Sequence, residues 1–159
     1  MQKITPHLWF DNQAEAAARF YTSIFADSRI VEITDYGRKA PGSDVTVLTV
    51  EFELAGQRYL ALNAGPAFTF TPAISLYVDC VDQEEVDYYW ARLLEGGGEE
   101  AQCGWLTDRY GLSWQVVPRA LPELLTDPDP ARADRANEAM MGMRKIEIAQ
   151  VVAAADNAG

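Results

Sequence analysis

Twice in this chain, a short apolar run of strand character ends at two residues with capping-box spacing, and an amphipathic helical stripe follows. Residues 4–10 lead to Asn12 and Glu15, after which Ala14, Ala17, Ala18, Tyr21 and Phe25 share one helical face. Residues 73–78 lead to Asp82 and Glu85, after which Val86, Tyr89, Trp90, Leu93 and Leu94 form the same kind of stripe. The spacing predicts a helix start because each side chain can satisfy a backbone N–H that the first turn leaves without a partner.

Extended segments follow each helix. In the first half they are residues 28–35, 44–54 and 58–63, with Ala55-Gly56-Gln57 turning the last two into a hairpin. Residues 36–44, holding Gly37, Pro41 and Gly42, read as a loop, and so do residues 64–72 with Phe68 and Phe70. In the second half Gly96-Gly97-Gly98 closes the helix, and strands are expected over 100–107 and 112–117. The order strand, helix, three strands, offset by about 70 residues, predicts an α+β chain of two βαβββ modules with curved mixed sheets. The modules span about residues 1–66 and 72–118. A helical extension covers about 119–156: Pro122 and Pro130 stand at first-turn positions, Asp129 is a cap, and Ala133, Ala136, Met140 and Met143 form an apolar face. The last residues, 156–159, are expected to fray.

Composition narrows the partners. With 13 basic against 24 acidic side chains, the net charge of −11 disfavours phosphate backbones and anionic membranes, whose binding depends on Lys and Arg. No signal peptide or stretch of about 20 apolar residues is evident, so a cytoplasmic location is expected. Cys80 and Cys103 read as reduced thiols in a chain large enough to need no disulfide.

Particular strings go further. Leu8-Trp-Phe-Asp11, Ala14-Glu-Ala-Ala17, Phe20-Tyr21, Leu62-Asn-Ala-Gly-Pro66 and residues 103–115, CGWLTDRYGLSWQ, resemble the PhnB-like branch of the vicinal oxygen chelate superfamily. That branch often carries the family name 3-demethylubiquinone-9 3-methyltransferase. The likeness runs from about Ile4 to Ile148. It implies a single vicinal oxygen chelate domain over residues 1–159, dimerisation, and a pocket enclosed by paired modules. Superfamily enzymes hold a divalent metal on His and Glu of the inner strands, where it acts as a Lewis acid.

The implied ligand positions of this chain are poor donors. The first falls near Pro6, with His7 beside it; alternation turns His7 away from the pocket unless the register shifts by one. The second falls near Asn63, the third at Ala73 or Ile74, and the fourth at Gln115. Two amides and one imidazole do not make a zinc site, nor do they supply the carboxylates that harder cations need. No cofactor is therefore expected. The methyltransferase name finds no support in the glycines either, since Gly96-Gly97-Gly98 ends a helix and does not open one.

Trp9, Asn63, Phe68, Phe70, Trp105, Trp114 and Gln115 remain as candidates to bind a small apolar or aromatic molecule, although rings in these places also serve as core. Alternation allows only one of Trp114 and Gln115 to face inward. Cys103 has no evident activator and reads as a small apolar residue. Asp108 and Arg109 read as a surface ion pair in a turn, and Met140, Met141 and Met143 as packing or partner surface. The reading is a small-molecule binding protein acting as a homodimer. The alternatives are a metal-dependent lyase or isomerase of glyoxalase type, the named methyl transfer, and a scaffold for another protein.

Overall fold

The computed structural model describes residues 2–157. Of the tail expected to fray, Asp156 ends a helix and Asn157 caps it, while Ala158 and Gly159 lie outside the described residues. Two compact units divide the chain, Met1–Phe70 and Thr71–Gly159. Each contains one four-stranded mixed sheet with a helix against one face, and the second carries three more helices. The architecture is α+β, as the repeated pattern predicts.

The first unit runs β1 (His7–Phe10), α1 (Ala14–Ile24), β2 (Arg29–Lys39), β3 (Thr46–Leu54) and β4 (Gln57–Asn63). The sheet order is β1-β4-β3-β2, with β1 parallel to β4 and the other pairs antiparallel. α1 buries Ala14, Ala17, Ala18, Tyr21 and Ile24, while Leu8, Phe10, Val50, Phe52 and Ala61 are the buried sheet residues. Ile24 takes the place expected of Phe25, which is the C-cap. Alanines on the inner stripe let the helix lie close to the sheet, and Tyr21 stacks 6.3 Å from Phe52. Burying a side chain such as Phe52 contributes roughly 1.5–3 kcal/mol.

The start of α1 corrects the sequence reading. Its N-cap is Gln13, which makes no side-chain cap, and Asn12 is exposed. Instead, Oδ1 of Asn63 at the end of β4 accepts the buried Ala14 N–H at 2.8 Å. The helix is capped by a residue 49 positions away. A second correction concerns β2, which extends to Lys39 through residues expected to be a loop. Its pairing with β3 is irregular between Asp35 and Lys39, where Asp35 accepts the Gly37 N–H at 2.8 Å and Gly37 takes a φ of 64°. The bulge lets a glycine-bearing segment stay in the sheet. The hairpin turn holds Ala55 and Gly56 at φ 48° and 81°, between the paired Leu54 and Gln57. Two residues of positive φ match the twist of the flanking strands.

The second unit repeats the order: β5 (Ser75–Cys80), α2 (Gln83–Leu94), β6 (Glu99–Glu100), β7 (Trp105–Thr107) and β8 (Ser113–Pro118), arranged β5-β8-β7-β6. The single strand expected over 100–107 is two, because Cys103 and Gly104 turn the chain at φ 58° and 82°. Here the local cap is as predicted. Asp82 accepts the Glu85 N–H at 2.9 Å, while Glu85 reaches back to the Val81 N–H at 2.8 Å. Gly98 is required where α2 meets β7, since a β-carbon there would lie 2.8 Å from Leu94 Cα and from the Thr107 carbonyl.

Helices α3 (Ala120–Leu125), α4 (Pro130–Met141) and α5 (Ile148–Asp156) complete the second unit. Asp129 caps α4 through the Ala131 N–H at 3.1 Å, and Pro130 opens it. Val117, Leu121, Ala136, Ile146, Val151 and Ala155 form a core that Met140 and Met143 help close. The Gln83 amide donates to the Ile146 carbonyl at 2.9 Å and accepts the Ile148 N–H at 2.8 Å, which fastens the extension to α2. Lys145 adds an ion pair to Asp87 at 2.8 Å. Among the described residues no helix is long and apolar enough to cross a membrane.

Candidate functional site

In each unit the helix covers one face of the sheet, and chemistry-bearing candidates lie on the other or at its edges. Strand alternation assigns the residues.

In the first unit Leu8 and Phe10 point to α1, so His7 and Trp9 stand on the opposite face. The expectation that His7 looks away from the open face is therefore corrected, and no register shift is needed. His7 pairs across the sheet with Leu60, and Leu60 with Glu51. The His7 ring is exposed, with Nδ1 3.0 Å from the Thr5 carbonyl, and Glu51 is held by Arg58 at 3.0 Å. Trp9 donates from Nε1 to the Gly65 carbonyl at 2.9 Å. Phe68 meets the Trp9 ring edge-on at 4.9 Å while remaining 65% exposed. Phe70 meets Phe10 in the same way at 5.3 Å. Asn63 is not on this face. It pairs with Phe10, is 6% exposed, and its oxygen is engaged by α1.

In the second unit Trp114 and Gln115 lie on opposite faces, as alternation requires. Trp114 is buried and donates from Nε1 to Asp108 Oδ2 at 2.8 Å. Asp108 is no surface residue: it is 3% exposed, and its other oxygen accepts the Tyr110 and Leu112 N–H groups at 2.8 and 3.1 Å. That carboxylate ties the β7–β8 turn to the Trp114 ring, which corrects the ion-pair reading. Arg109 donates instead to the Glu95 carbonyl at 3.0 Å.

Gln115 faces away from α2, between Tyr77 of β5 and Trp105 of β7 in one cross-strand row. Its Nε2 donates to Ser75 Oγ at 3.0 Å. Tyr77 is 54% exposed, and Trp105, Gln115 and Ser75 are half-buried. Burial pushes the Tyr77 phenol up from its ordinary value, with Asp79 and Cys80 acting in the same direction, so it presents an O–H group. Further along this face Asp79 is bound to Arg119 at 2.9 Å and Val117 is covered by the C-terminal helices. Ser75 and Tyr77 were not visible as site residues in the sequence. Only the pairing of β5 with β8, which joins residues about 40 apart, places them beside Gln115.

Cys80 is buried and unpaired as a disulfide, its thiol pushed up to about 12, chiefly by burial and then by Glu85 and Asp79. Cys103 is also a free thiol, half-buried, with Sγ 3.7 Å from Met141 Sδ.

Among the described residues, neither sheet brings together on the face opposite its helix a donor set that fits a divalent metal. Within the first, an apolar Leu60 separates His7 from Glu51; within the second, the corresponding row is Tyr77, Gln115 and Trp105. Among the described residues no group of three or more His, Cys, Asp or Glu side chains is placed to hold one. Neutral amides and hydroxyls are weak ligands for zinc, and too few carboxylates converge for a harder ion.

Strand pairing is equivalent in the two units. His7 opposes Leu60 as Tyr77 opposes Gln115, and Phe10 opposes Asn63 as Cys80 opposes Pro118. A doubled βαβββ unit with a parallel pair in each sheet places the chain among the vicinal oxygen chelate proteins. The family model for 3-demethylubiquinone-9 3-methyltransferase matches residues 2–117, and the chain belongs to that family. A solved structure described as a putative 3-demethylubiquinone-9 3-methyltransferase, PhnB protein, from Bacillus cereus is 38% identical. The match covers 74% of this chain and 99% of that one, with a TM-score of 0.65. Protein PA1353 from Pseudomonas aeruginosa shares the fold at 18% identity and a TM-score of 0.61, over 74% of this chain and 98% of its own. No curated protein matches the chain. The family match stops at residue 117, short of the Ile148 limit expected from sequence, so α3, α4 and α5 lie outside it.

Proposed function

We propose that this protein binds a small, flat, apolar or aromatic molecule without a metal, and that it does so as a cytoplasmic homodimer. The observation that carries the proposal is the row Tyr77–Gln115–Trp105. It sets a neutral amide between two rings on the sheet face opposite α2. Rings supply apolar contact area, and a few oriented hydrogen bonds supply specificity. Trp9 with Phe68 forms a second aromatic surface on the first unit. In the second unit Ile74, Tyr77 and Val81 are exposed in and beside β5, a concentration of large apolar side chains that supports self-association. The charge of −11 argues against nucleic acid as the partner.

The test is titration of purified protein with planar aromatic compounds, followed by tryptophan fluorescence, alongside metal analysis and sedimentation. Saturable binding by a metal-free dimer is expected. Stoichiometric metal would turn the reading toward the lyase or isomerase alternative. The observation favouring that alternative is His7, which shares the open face with Trp9; His7→Ala should then release the ion.

A further inference from the structure

We infer that Gln115 and Ser75 form a recognition site for a planar cis-amide: the N–H and C=O edge of a lactam, an imide or a ring carboxamide. The inference rests on the ligand-binding reading above and specifies its chemistry.

The argument begins with hydrogen-bond capacity. Gln115 Nε2 donates to Ser75 Oγ at 3.0 Å, which uses one amide hydrogen and one hydroxyl lone pair. What remains is the Gln115 carbonyl oxygen with the second amide N–H, and the Ser75 hydroxyl hydrogen with its second lone pair. The pair thus offers both acceptors and donors, held in place by their mutual bond. If the amide turns over, Ser75 donates to the Gln115 oxygen; both amide N–H groups are then free, and acceptor lone pairs remain on the Gln115 oxygen and the Ser75 hydroxyl. The array still pairs a donor with an acceptor. A cis-amide carries its own N–H and C=O on one edge and complements either arrangement.

Charge excludes the obvious competitors. The carboxylate nearest along the same strand face, Asp79, is held by Arg119 through two hydrogen bonds of 2.9 and 3.1 Å. A carboxylate or ammonium ligand at Gln115 would give up water without meeting a counter-charge, whereas a neutral amide exchanges its hydrogen bonds evenly. Shape selects for flatness. Tyr77 and Trp105 stand on the strands either side of Gln115, so their rings border a ligand lying over the amide.

The probes are 2-quinolinone, its N-methyl derivative and quinoline, titrated against the full chain with Trp fluorescence and side-chain amide NMR as readouts. The lactam is expected to bind at least about tenfold more tightly than the N-methyl compound, since methylation removes the donor and strands an acceptor. The Gln115 side-chain NH2 signal, identified by its disappearance in Gln115→Leu, should shift with the lactam alone. In Gln115→Leu the lactam and its N-methyl derivative should bind equally, while quinoline keeps its wild-type affinity. Ser75→Ala, which removes a single oxygen, should give the same equalisation and serves as the second variant. Equal affinities for the two quinolinones in the wild-type protein would overturn this inference and leave ring binding standing. If none of the three compounds binds at millimolar concentration, the ligand-binding reading falls and takes this one with it.

Discussion

Replacing Asn63 by alanine should destabilise the first unit far more than replacing Asn12, although the sequence assigns the helix cap to Asn12. Asn63 Oδ1 accepts the N–H of Ala14, a residue with 0% exposure, at 2.8 Å. Loss of a helix cap costs about 0.5–2 kcal/mol. Leaving a buried N–H without a partner costs about 1–3 kcal/mol. The two figures describe overlapping losses, so about 2 kcal/mol is the working value, a fall of roughly thirtyfold in the folded-to-unfolded ratio. Asn12→Ala should stay within about 0.5 kcal/mol, because Asn12 is exposed and makes no cap. Asn63→Asp keeps the acceptor and places a carboxylate at a helix N-terminus, but at 6% exposure the charge is poorly hydrated, so an intermediate loss is expected. Amide hydrogen exchange along α1 is the right assay, since it reads the first unit separately from the second. Equal effects of Asn12→Ala and Asn63→Ala, or unchanged α1 exchange in Asn63→Ala, would refute the long-range cap.

Asp108→Ala should lose at least about 3 kcal/mol, because it strands the Leu112 N–H and the Trp114 indole N–H in buried surroundings; a urea titration followed by Trp fluorescence measures it, and a loss under 1 kcal/mol would contradict the assigned role. In the native protein a thiol reagent at pH 8 should label Cys103 quickly and Cys80 only on unfolding, since burial pushes Cys80 up to about 12; mass spectrometry of the labelled peptides decides. Ala55→Gly should stabilise the β3–β4 hairpin by about 0.5–1 kcal/mol, because alanine at φ 48° carries a steric cost that glycine avoids; thermal unfolding tests the sign. Hydrogen bonds from Lys145 and then Gln83 hold Asp87 below its ordinary value, and the bond to Asp87 holds Lys145 above its own. The contribution of Asp87 is complete above the ordinary carboxylate range and is lost as pH falls through its lowered value. That of Lys145 is complete below its ordinary value and lost only in strong alkali. Proteolysis between α4 and α5 should therefore quicken below about pH 4 and be unchanged between pH 6 and 9.

What was legible in the sequence is what short-range physics writes into it. The stripes of both helices (Phe25 excepted, which caps α1), the Asp82 cap, the Asp129–Pro130 start and the hairpin at Ala55-Gly56 are set by residues a few positions apart, and they appear where expected. The misreadings have physical causes. Asn12 has the right spacing for a cap, but Asn63 reaches the same N–H across the sheet. Asp108 sits in a turn that looks exposed, yet three donors of its own turn and strand enclose it. The segment 36–39 carries loop residues, yet a bulge keeps it paired with β3. For the α1 cap and for segment 36–39 the deciding partner lies elsewhere in the sheet; for Asp108 the donors are two, four and six residues away, and what the turn sequence does not show is their burial.

The same distinction explains why the two open faces differ although the two folds agree. Register equivalence makes His7 and Tyr77 counterparts, and Leu60 and Gln115 counterparts. A residue pointing at the helix is constrained by packing, so those positions remain apolar in both units: Leu8 and Phe10 in one, Val78 and Cys80 in the other. In the row of His7 and in that of Tyr77 the opposite face meets no such demand, unlike Val117 further along it, so its chemistry can change without disturbing the core. One unit therefore presents an imidazole, a leucine and a salt-bridged glutamate in the row where the other presents a phenol, an amide and an indole. The repeat specifies a scaffold, and on the ligand-binding proposal the difference between the rows is the source of selectivity. Exchanging Gln115 for leucine, the residue its counterpart carries, should remove the polar handle of the second unit while leaving its thermal midpoint within a few degrees. A large loss of stability would mean that the amide belongs to the packing and not to a site.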